Sequence, residues 1–161
     1  MALVDTAGAD IGTAAEGKQH LSFSLADGEY AVEVLHVREI RGIGPITPLP
    51  NSPAHLKGVM NLRGAVVPVI DLRSAIGLPE TEYGKYTVII VLQVKTRTLG
   101  FLVDSVCDVI SLLPGDIESS KGIGNGVDEA LVSGIARVQE RFIVLLDIAH
   151  VVGGGEWESA A

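Results

Sequence analysis

The stretch Gly58-Val-Met-Asn-Leu-Arg-Gly-Ala-Val-Val-Pro-Val-Ile-Asp-Leu72 decides the fold prediction for this chain. Asn61 and Arg63 precede a second glycine, and a β-branched run follows over residues 66–70. Asn and Gly indicate a tight turn, and the β-branched residues are typical of a strand that is buried on both faces. Pro68 lies inside this run and cannot donate a ladder hydrogen bond, so it is expected at a sheet edge, a bulge or a barrel corner. We therefore predict two strands joined by a tight turn.

The same pattern recurs later in the chain. Residues 134–148 align with the first stretch without gaps at a shift of 76 residues, and residues 101–109 align with residues 32–40 at a shift of 69. The second half thus carries seven extra residues, which fall in the glycine-rich region 122–126, where a loop insertion costs little. These alignments predict two related halves.

Composition favours an all-β protein and disfavours nucleic-acid binding. Hydrophobic residues make up 47% of the 161 residues and aromatic residues only 4%, so Val, Ile and Leu must form the core. Together with 19 glycines and many short β-branched runs, this predicts strands and turns rather than a helix bundle. The net charge of -8 repels phosphate backbones, and the sequence has no basic patch.

The chain is expected to be cytoplasmic. Its single cysteine, Cys107, excludes an internal disulfide and fits a reducing compartment. The first residues lack the basic and apolar regions of a secretion signal, and the longest apolar run, residues 88–92, is too short to span a bilayer. We expect no membrane insertion.

Residues 1–17 are small, acidic and aperiodic, which predicts a disordered tail, and residues 153–161 are expected to form a flexible C-terminal tail. Between them lies one predicted domain, residues 18–152, with two intertwined β-barrel subdomains over about 28–90 and 99–150. The first strand is shared by the pair. Each half offers about five short strands, enough to close a small barrel.

Local signals place the turns. Asp27-Gly28 predicts a hairpin, after which one strand should continue from Tyr30 to Ile40. Residues 41–50 form an irregular connection, and residues 51–57 fit one helical turn with Ser52 as the N-cap. A short helix over residues 71–77 should follow, and the segment 86–94 is the most strand-like in the chain.

Catalytic and ligand-binding motifs are missing from the sequence. The glycines at 122, 124 and 126 meet neither nucleotide fingerprint, and the four histidines lack metal-ligand spacing. Cys107 lies beside Asp108, which should raise rather than lower the thiol pKa. Asp71 and Asp147 occupy equivalent repeat positions after strands and are predicted to cap the helical turns that follow them.

Differences between the halves point to residues that the fold alone does not require. Arg63 corresponds to Gln139 and Arg38 to Cys107, whereas Glu39 keeps an acid at Asp108. Glu39 and Arg63 both lie near strand ends and could pair across the surface of the first barrel. Such a pair is either a functional feature or a solvated surface ion pair worth under about 1 kcal/mol.

Three segments carry a resemblance to a known family. Residues 29–42 (EYAVEVLHVREIRG), 57–73 (KGVMNLRGAVVPVIDLR) and 104–110 (DSVCDVI) closely resemble the chemotaxis coupling protein CheW. The resemblance covers roughly residues 19–152 and implies a mainly β fold of two five-stranded, SH3-like barrels packed around a shared core. It also implies an adaptor without catalytic activity. We expect no cofactor or metal, and a monomer in isolation.

The resemblance implies two partners: the cytoplasmic tip of methyl-accepting chemoreceptors and the regulatory domain of the histidine kinase CheA, in arrays at the inner face of the membrane. The residues that it places in the receptor-facing groove are Val37, Glu39, Gly58, Arg63, Val88 and Val106. Those that it places on the kinase-facing surface are Ile40, Arg41, Ile43 and Pro45.

Two alternatives stay open at this point. A peptide-binding adaptor of a non-flagellar chemosensory pathway would use the same fold with other partners. A small-ligand-binding β-barrel or an enzyme would instead need a pocket with converging polar groups and a perturbed titratable residue.

Overall fold

A computed structural model of the chain describes residues 17–79, 81–119 and 131–152. Its strands are β1 (Lys18–Leu25), β2 (Gly28–Glu33), β3 (Val37–Gly42), β4 (Leu56–Leu62), β5 (Ala65–Asp71), β6 (Val88–Val94), β7 (Arg97–Val103), β8 (Ser105–Leu112), β9 (Ile117–Glu118), β10 (Val132–Val138) and β11 (Arg141–Leu146). Its helices are α1 (Leu72–Ala75) and α2 (Ile148–Val152), with 3-10 turns at Val34–His36 and Pro114–Asp116.

The strands form two sheets. Sheet I has the order β8-β1-β2-β11-β10-β9, and sheet II has the order β3-β6-β7-β5-β4. Neighbours pair antiparallel except β2 with β11 and β5 with β7, which are parallel. The prediction of a mainly β fold with two packed β units is confirmed.

The sequence repeat is visible in the structure. The unit β4-β5-α1 corresponds to β10-β11-α2 at the shift of 76, and β2 corresponds to β7 at the shift of 69. With β1 matched to β6 and β3 to β8, the strand order of sheet II reproduces that of sheet I without β9. The two sheets are thus built by equivalent pairings of the two halves.

The halves exchange strands between the sheets, and this changes the expected subdivision. Residues 18–33 pair with residues 105–146 in sheet I, whereas residues 37–103 form sheet II, so the sheet boundaries do not follow 28–90 and 99–150. The continuous strand predicted from Tyr30 to Ile40 is wrong for the same reason. The 3-10 turn at Val34–His36 breaks it, and there the chain leaves sheet I for sheet II.

Each sheet is buried on both faces. One cluster lies between the sheets and includes Phe23 from sheet I and Phe101 from sheet II, while smaller clusters around Val67 and Ile143 lie on the opposite faces. Successive residues of a strand point to opposite faces, so both sides of β6 contribute to a core. This explains the unbroken apolar run at residues 88–92.

Pro68 does not lie at a sheet edge, because β5 is flanked by both β4 and β7. Its missing amide is tolerated because the parallel ladder with β7 begins only at Val69, paired with Gly100. In sheet I the equivalent ladder starts two residues earlier, at Ile143. Where β5 and β7 part, a shallow cavity of about 360 Å³ opens, lined by Leu62, Ala65, Val66, Val67, Pro68, Arg97 and Thr98.

Some local predictions are corrected and others are confirmed. The helical turn predicted at residues 51–57 is wrong: Ser52 donates its hydroxyl to the Leu49 carbonyl instead of capping a helix, and the Leu56 amide closes a turn on the Pro53 carbonyl. The expected β1–β2 hairpin is present. The strand predicted from residue 86 begins at Val88.

The two repeat-equivalent hairpins have strained turns. Arg63 and Gly64 have φ values of 52° and 90°, and their counterparts Gln139 and Glu140 have φ values of 50° and 71°. Left-handed backbone favours glycine, because a Cβ atom approaches the following carbonyl there. The second hairpin therefore holds Glu140 where the first has a glycine.

We expect Glu140→Gly to stabilise the protein by about 0.5–1 kcal/mol, because relief of left-handed strain exceeds the entropy that glycine adds to the unfolded chain. Urea unfolding of the purified variant measures this. Gly64→Ala, which adds a Cβ atom at the equivalent position of the first hairpin, should lower the free energy of unfolding by a similar amount. Equal stability of Glu140→Gly and wild type would contradict the strain argument.

Candidate partner-binding surface

The three valines assigned to the receptor-facing groove border the core shared by the sheets. Val37 opens β3, Val88 opens β6 and Val106 follows the start of β8. All three are half-buried and pack against the cluster between the sheets. We call these residues the valine rim. It offers apolar contacts that are already fixed by the core beneath them.

Glu39 and Arg63 form the predicted ion pair. Arg63 Nη2 donates to Glu39 Oε2 at 2.6 Å, and Arg41 Nη1 lies 3.7 Å from Glu39 Oε1. The pair joins edge strand β3 to the β4–β5 turn, and 70% of the Arg63 side chain is exposed against 27% of Glu39. Most of the Arg63 side chain is therefore accessible to a partner.

The pair remains charged near neutral pH. The hydrogen bond from Arg63 holds the pKa of Glu39 below its ordinary value, with a smaller contribution from the charge of Arg41. The same hydrogen bond raises the pKa of Arg63. A partner that binds here therefore contacts the positive charge of Arg63, which is held in place by the less exposed carboxylate of Glu39.

Gly58 differs from the other groove residues because it is buried. It is buried in β4 with φ 150°, and a Cβ atom built there would lie 2.1 Å from the Thr47 carbonyl oxygen. Thr47 also exchanges backbone hydrogen bonds with Val59 at 2.8 and 2.9 Å. The fold itself therefore requires glycine at position 58.

The residues expected to face the kinase lie along one exposed segment. Ile40 and Arg41 belong to edge strand β3, and Ile43 and Pro45 follow it. Ile40 and Ile43, three residues apart, are 44% and 39% exposed, so this segment presents two large apolar side chains at the surface. Through the contact between Arg41 and Glu39, this segment borders the groove residues.

Sequence reasoning missed two features beside this surface. Val66, predicted to be buried on both faces, is 72% exposed on β5. Arg73 and Asp104 form a bidentate ion pair, with Nε–Oδ1 at 2.9 Å and Nη2–Oδ2 at 2.5 Å. The alignment of the halves carried a signal for this pair, because the equivalents of Arg73 and Asp104 are Ala149 and Leu35.

The Arg73–Asp104 pair should make stability depend on acidity. Burial acts to raise the pKa of Asp104, but hydrogen bonds from Arg73 and the Ala26 amide outweigh it and hold the pKa below 3.8. The ionised carboxylate therefore favours the folded state. Its contribution is present above the unfolded-state pKa of Asp104 and is lost as the pH falls through the lower folded-state pKa.

Accordingly, Asp104→Asn should lower the free energy of unfolding by about 2 kcal/mol at pH 7. Urea unfolding at pH 7 and at pH 3 should show this difference shrinking in acid, because the unfolded wild type then takes up a proton at Asp104 and the ionised carboxylate stabilises the folded state less. A difference that is independent of pH would contradict the assignment.

The other predicted polar sites have structural roles. Asp71 caps α1 by accepting from the Arg73 and Ser74 amides, and Asp147 accepts from the His150 amide, as predicted. Cys107 is exposed on β8, and partial burial, followed by the charge of Glu29, raises its thiol pKa. No group of His, Cys, Asp or Glu suited to a metal ion occurs among the described residues. The glycines at 122–126 lie outside those residues.

Comparison with known proteins gives the family. Residues 19–155 match the CheW-like domain family. The chain is 38% identical over 144 residues to the chemotaxis protein CheW of Rhizobium meliloti, covering 89% of this chain and 93% of that protein. It is 36% identical over 140 residues to CheW of Klebsiella aerogenes, covering 87% and 84%.

A solved structure agrees with the fold. The crystal structure of the scaffolding protein TtCheW from Thermoanaerobacter tengcongensis superimposes with a TM-score of 0.77 at 30% identity, covering 84% of this chain and 87% of that one. The fold and these family matches together identify a non-catalytic scaffold of chemotaxis signalling. The chain belongs to the CheW family. Within the described residues, every helix is too short or too polar to cross a membrane.

Proposed function

We propose that this chain is the coupling adaptor between the cytoplasmic tip of methyl-accepting chemoreceptors and the regulatory domain of the histidine kinase CheA. It would act in the cytoplasm, recruited to receptor arrays at the inner face of the membrane. Membership of the CheW family and its role in chemotaxis support this proposal. The observation that carries it is the Glu39–Arg63 pair, which joins edge strand β3 to the β4–β5 turn; on β3, Glu39 is two residues from Val37 of the valine rim and next to the exposed Ile40.

The receptor site would consist of the valine rim with Glu39 and Arg63. An amphipathic helix presents apolar residues at a helical spacing, and half-buried valines can receive them without a rearrangement of the core. The exposed guanidinium adds a charged contact that fixes the orientation of the helix. Gly58 contributes indirectly, by allowing the chain at Thr47 to lie against β4.

The kinase site would consist of Ile40, Arg41, Ile43 and Pro45. Exposed apolar residues on an edge strand and the loop after it suit a protein interface, where a central apolar contact is surrounded by polar groups. Because Glu39 contacts Arg41, the two proposed sites adjoin. One small body can thus hold two partners at a fixed geometry and raise the effective concentration of each for the other.

The repeat supplies a specific test. Gln139 occupies the position equivalent to Arg63 with nearly the same φ, so Arg63→Gln preserves the turn and removes only the charge. Calorimetric titration with a receptor-tip fragment should show about tenfold weaker binding for Arg63→Gln and for Glu39→Gln. Binding to the CheA regulatory domain should change less than about threefold for Arg63→Gln, because Arg63 lies outside the proposed kinase segment.

Arg137→Gln is the matched control. Arg137 is similarly exposed and forms an ion pair with Glu118, at 3.3 Å, on sheet I. Its loss should leave receptor binding unchanged. Wild-type receptor affinity for both Arg63→Gln and Glu39→Gln would remove the pair from the site, and a wild-type protein that binds neither partner would overturn the proposed function.

A further inference from the structure

The chain passes from sheet II to sheet I through a single residue, Asp104. β7 ends at Val103 and β8 begins at Ser105. The Asp104 amide donates to the Ser24 carbonyl at 3.1 Å, which ties this crossover to the end of β1. Position 104 is therefore fixed to both sheets by its backbone.

The side chain of Asp104 adds three further hydrogen bonds. Its carboxylate accepts two from Arg73 and one from the Ala26 amide, the last at 2.8 Å. Arg73 belongs to α1, which follows sheet II strand β5, and Ala26 lies in the β1–β2 turn of sheet I. Arg73 also donates to the Pro79 carbonyl at 3.0 Å. Only 15% of the Arg73 side chain and 28% of Asp104 are exposed.

The equivalent crossover in the first half has no such ion pair. At the shifts that relate the halves, Asp104 corresponds to Leu35, which is 72% exposed, and Arg73 corresponds to the exposed Ala149. The first crossover between the sheets therefore forms without these charges. The Arg73–Asp104 pair must therefore have a role that is specific to the β7–β8 crossover.

That place adjoins the valine rim. Val103, the residue before Asp104, pairs with Val88, and Val106 follows two residues later, opposite Phe23. The ladder between β1 and β8 shifts its register between Ser22 and Phe23, beside Val106, so backbone pairing alone leaves this end of β8 irregular.

We propose that the Arg73–Asp104 pair positions the valine rim by holding the β7–β8 crossover against α1 and the β1–β2 turn. The pair does not contact the receptor helix. It fixes Val106 relative to Val88, so that the rim is ordered before binding. Receptor binding then carries no entropic cost for ordering these side chains. This inference rests on the proposed receptor-binding function.

Hydrogen exchange and calorimetry together test the proposal. Asp104→Asn and Arg73→Met each remove the ion pair, and Arg73→Met keeps an unbranched apolar stem. Amide exchange at Ala26, Asp104 and Val106 should accelerate at least about tenfold more than exchange of the most protected core amides. Affinity for the receptor-tip fragment should fall about fivefold, with affinity for the CheA regulatory domain unchanged.

Ile143→Val is the control for a merely structural role. It shortens a fully buried side chain in the separate core of sheet I, so it lowers overall stability without touching the crossover. Its receptor affinity should equal that of the wild type. Acceleration of exchange that is uniform across the protein, or unchanged receptor affinity in both ion-pair variants, would overturn the positioning role. If the wild type binds neither partner, the proposed function fails, and local exchange alone decides whether the pair holds the crossover.

Discussion

Gly58→Ala should lower the free energy of unfolding by about 3 kcal/mol, toward the upper end of the range for overpacking. The added Cβ atom would lie 2.1 Å from the carbonyl oxygen and 2.7 Å from the carbonyl carbon of Thr47. Both are backbone atoms held by two hydrogen bonds to Val59, so they cannot rotate away as a side chain can. The positive φ at position 58 adds strain for any residue with a Cβ atom.

Urea unfolding of Gly58→Ala beside two matched variants tests this expectation. Gly42→Ala adds a Cβ atom with nothing within 4 Å and should be nearly neutral. Gly134→Ala, at the repeat-equivalent position, should be intermediate, since the nearest atom there is the Ile117 side-chain methyl at 2.7 Å. Gly58→Ala as stable as Gly42→Ala would show that Thr47 moves easily. It would also restore a direct role for position 58 at the receptor surface.

Phe101→Ala should lower the free energy of unfolding by about 3–5 kcal/mol, a typical cost for a buried phenylalanine. Phe101 is 1% exposed and lies on central strand β7, opposite Ile90 of β6 and Ile70 of β5. Its ring belongs to the core that the two sheets share. Truncation therefore leaves a cavity between the sheets, lined by residues from both.

The chain offers a control with the same chemistry. Phe142 is 59% exposed, and its ring lies 5.2 Å from the Arg137 guanidinium. Phe142→Ala should change stability by no more than about 0.5 kcal/mol. Chemical denaturation of both variants measures the difference, and equal losses would mean that burial does not decide the cost.

The alignment of the halves predicted much of the fold, because the same residues repeat wherever the same contacts repeat. Gly58 and Gly134 both lie close to a neighbouring chain segment, and Asp71 and Asp147 both cap a helix. The exchange of strands could not be predicted in this way. Tyr30, Val32 and Val34 alternate as a strand would, and the only local mark of the 3-10 turn is that the next valine, Val37, falls at an odd position.

The candidate surface was predicted to a similar extent. Arg63 was nominated because its counterpart, Gln139, is uncharged, and Glu39 because it lies near a strand end where it could pair with Arg63; the structure places the two in contact. The pair of Arg73 and Asp104 was not nominated, since each looks like a solvated charge and 31 residues separate them. Only the close approach of α1 to the β7–β8 crossover brings them together. Such a pairing depends on tertiary structure rather than on local pattern.

The strand exchange between the two halves has a consequence for how the molecule can be divided. Each half contributes strands to both sheets through equivalent pairings, which is the geometry of a domain-swapped dimer whose two subunits have been fused into one polypeptide. Cutting the chain between the halves would leave each fragment with unpaired edges in both sheets. Folding must also wait for distant partners such as Ser22 and Asp108, 86 residues apart, so a high contact order and slow cooperative folding are expected.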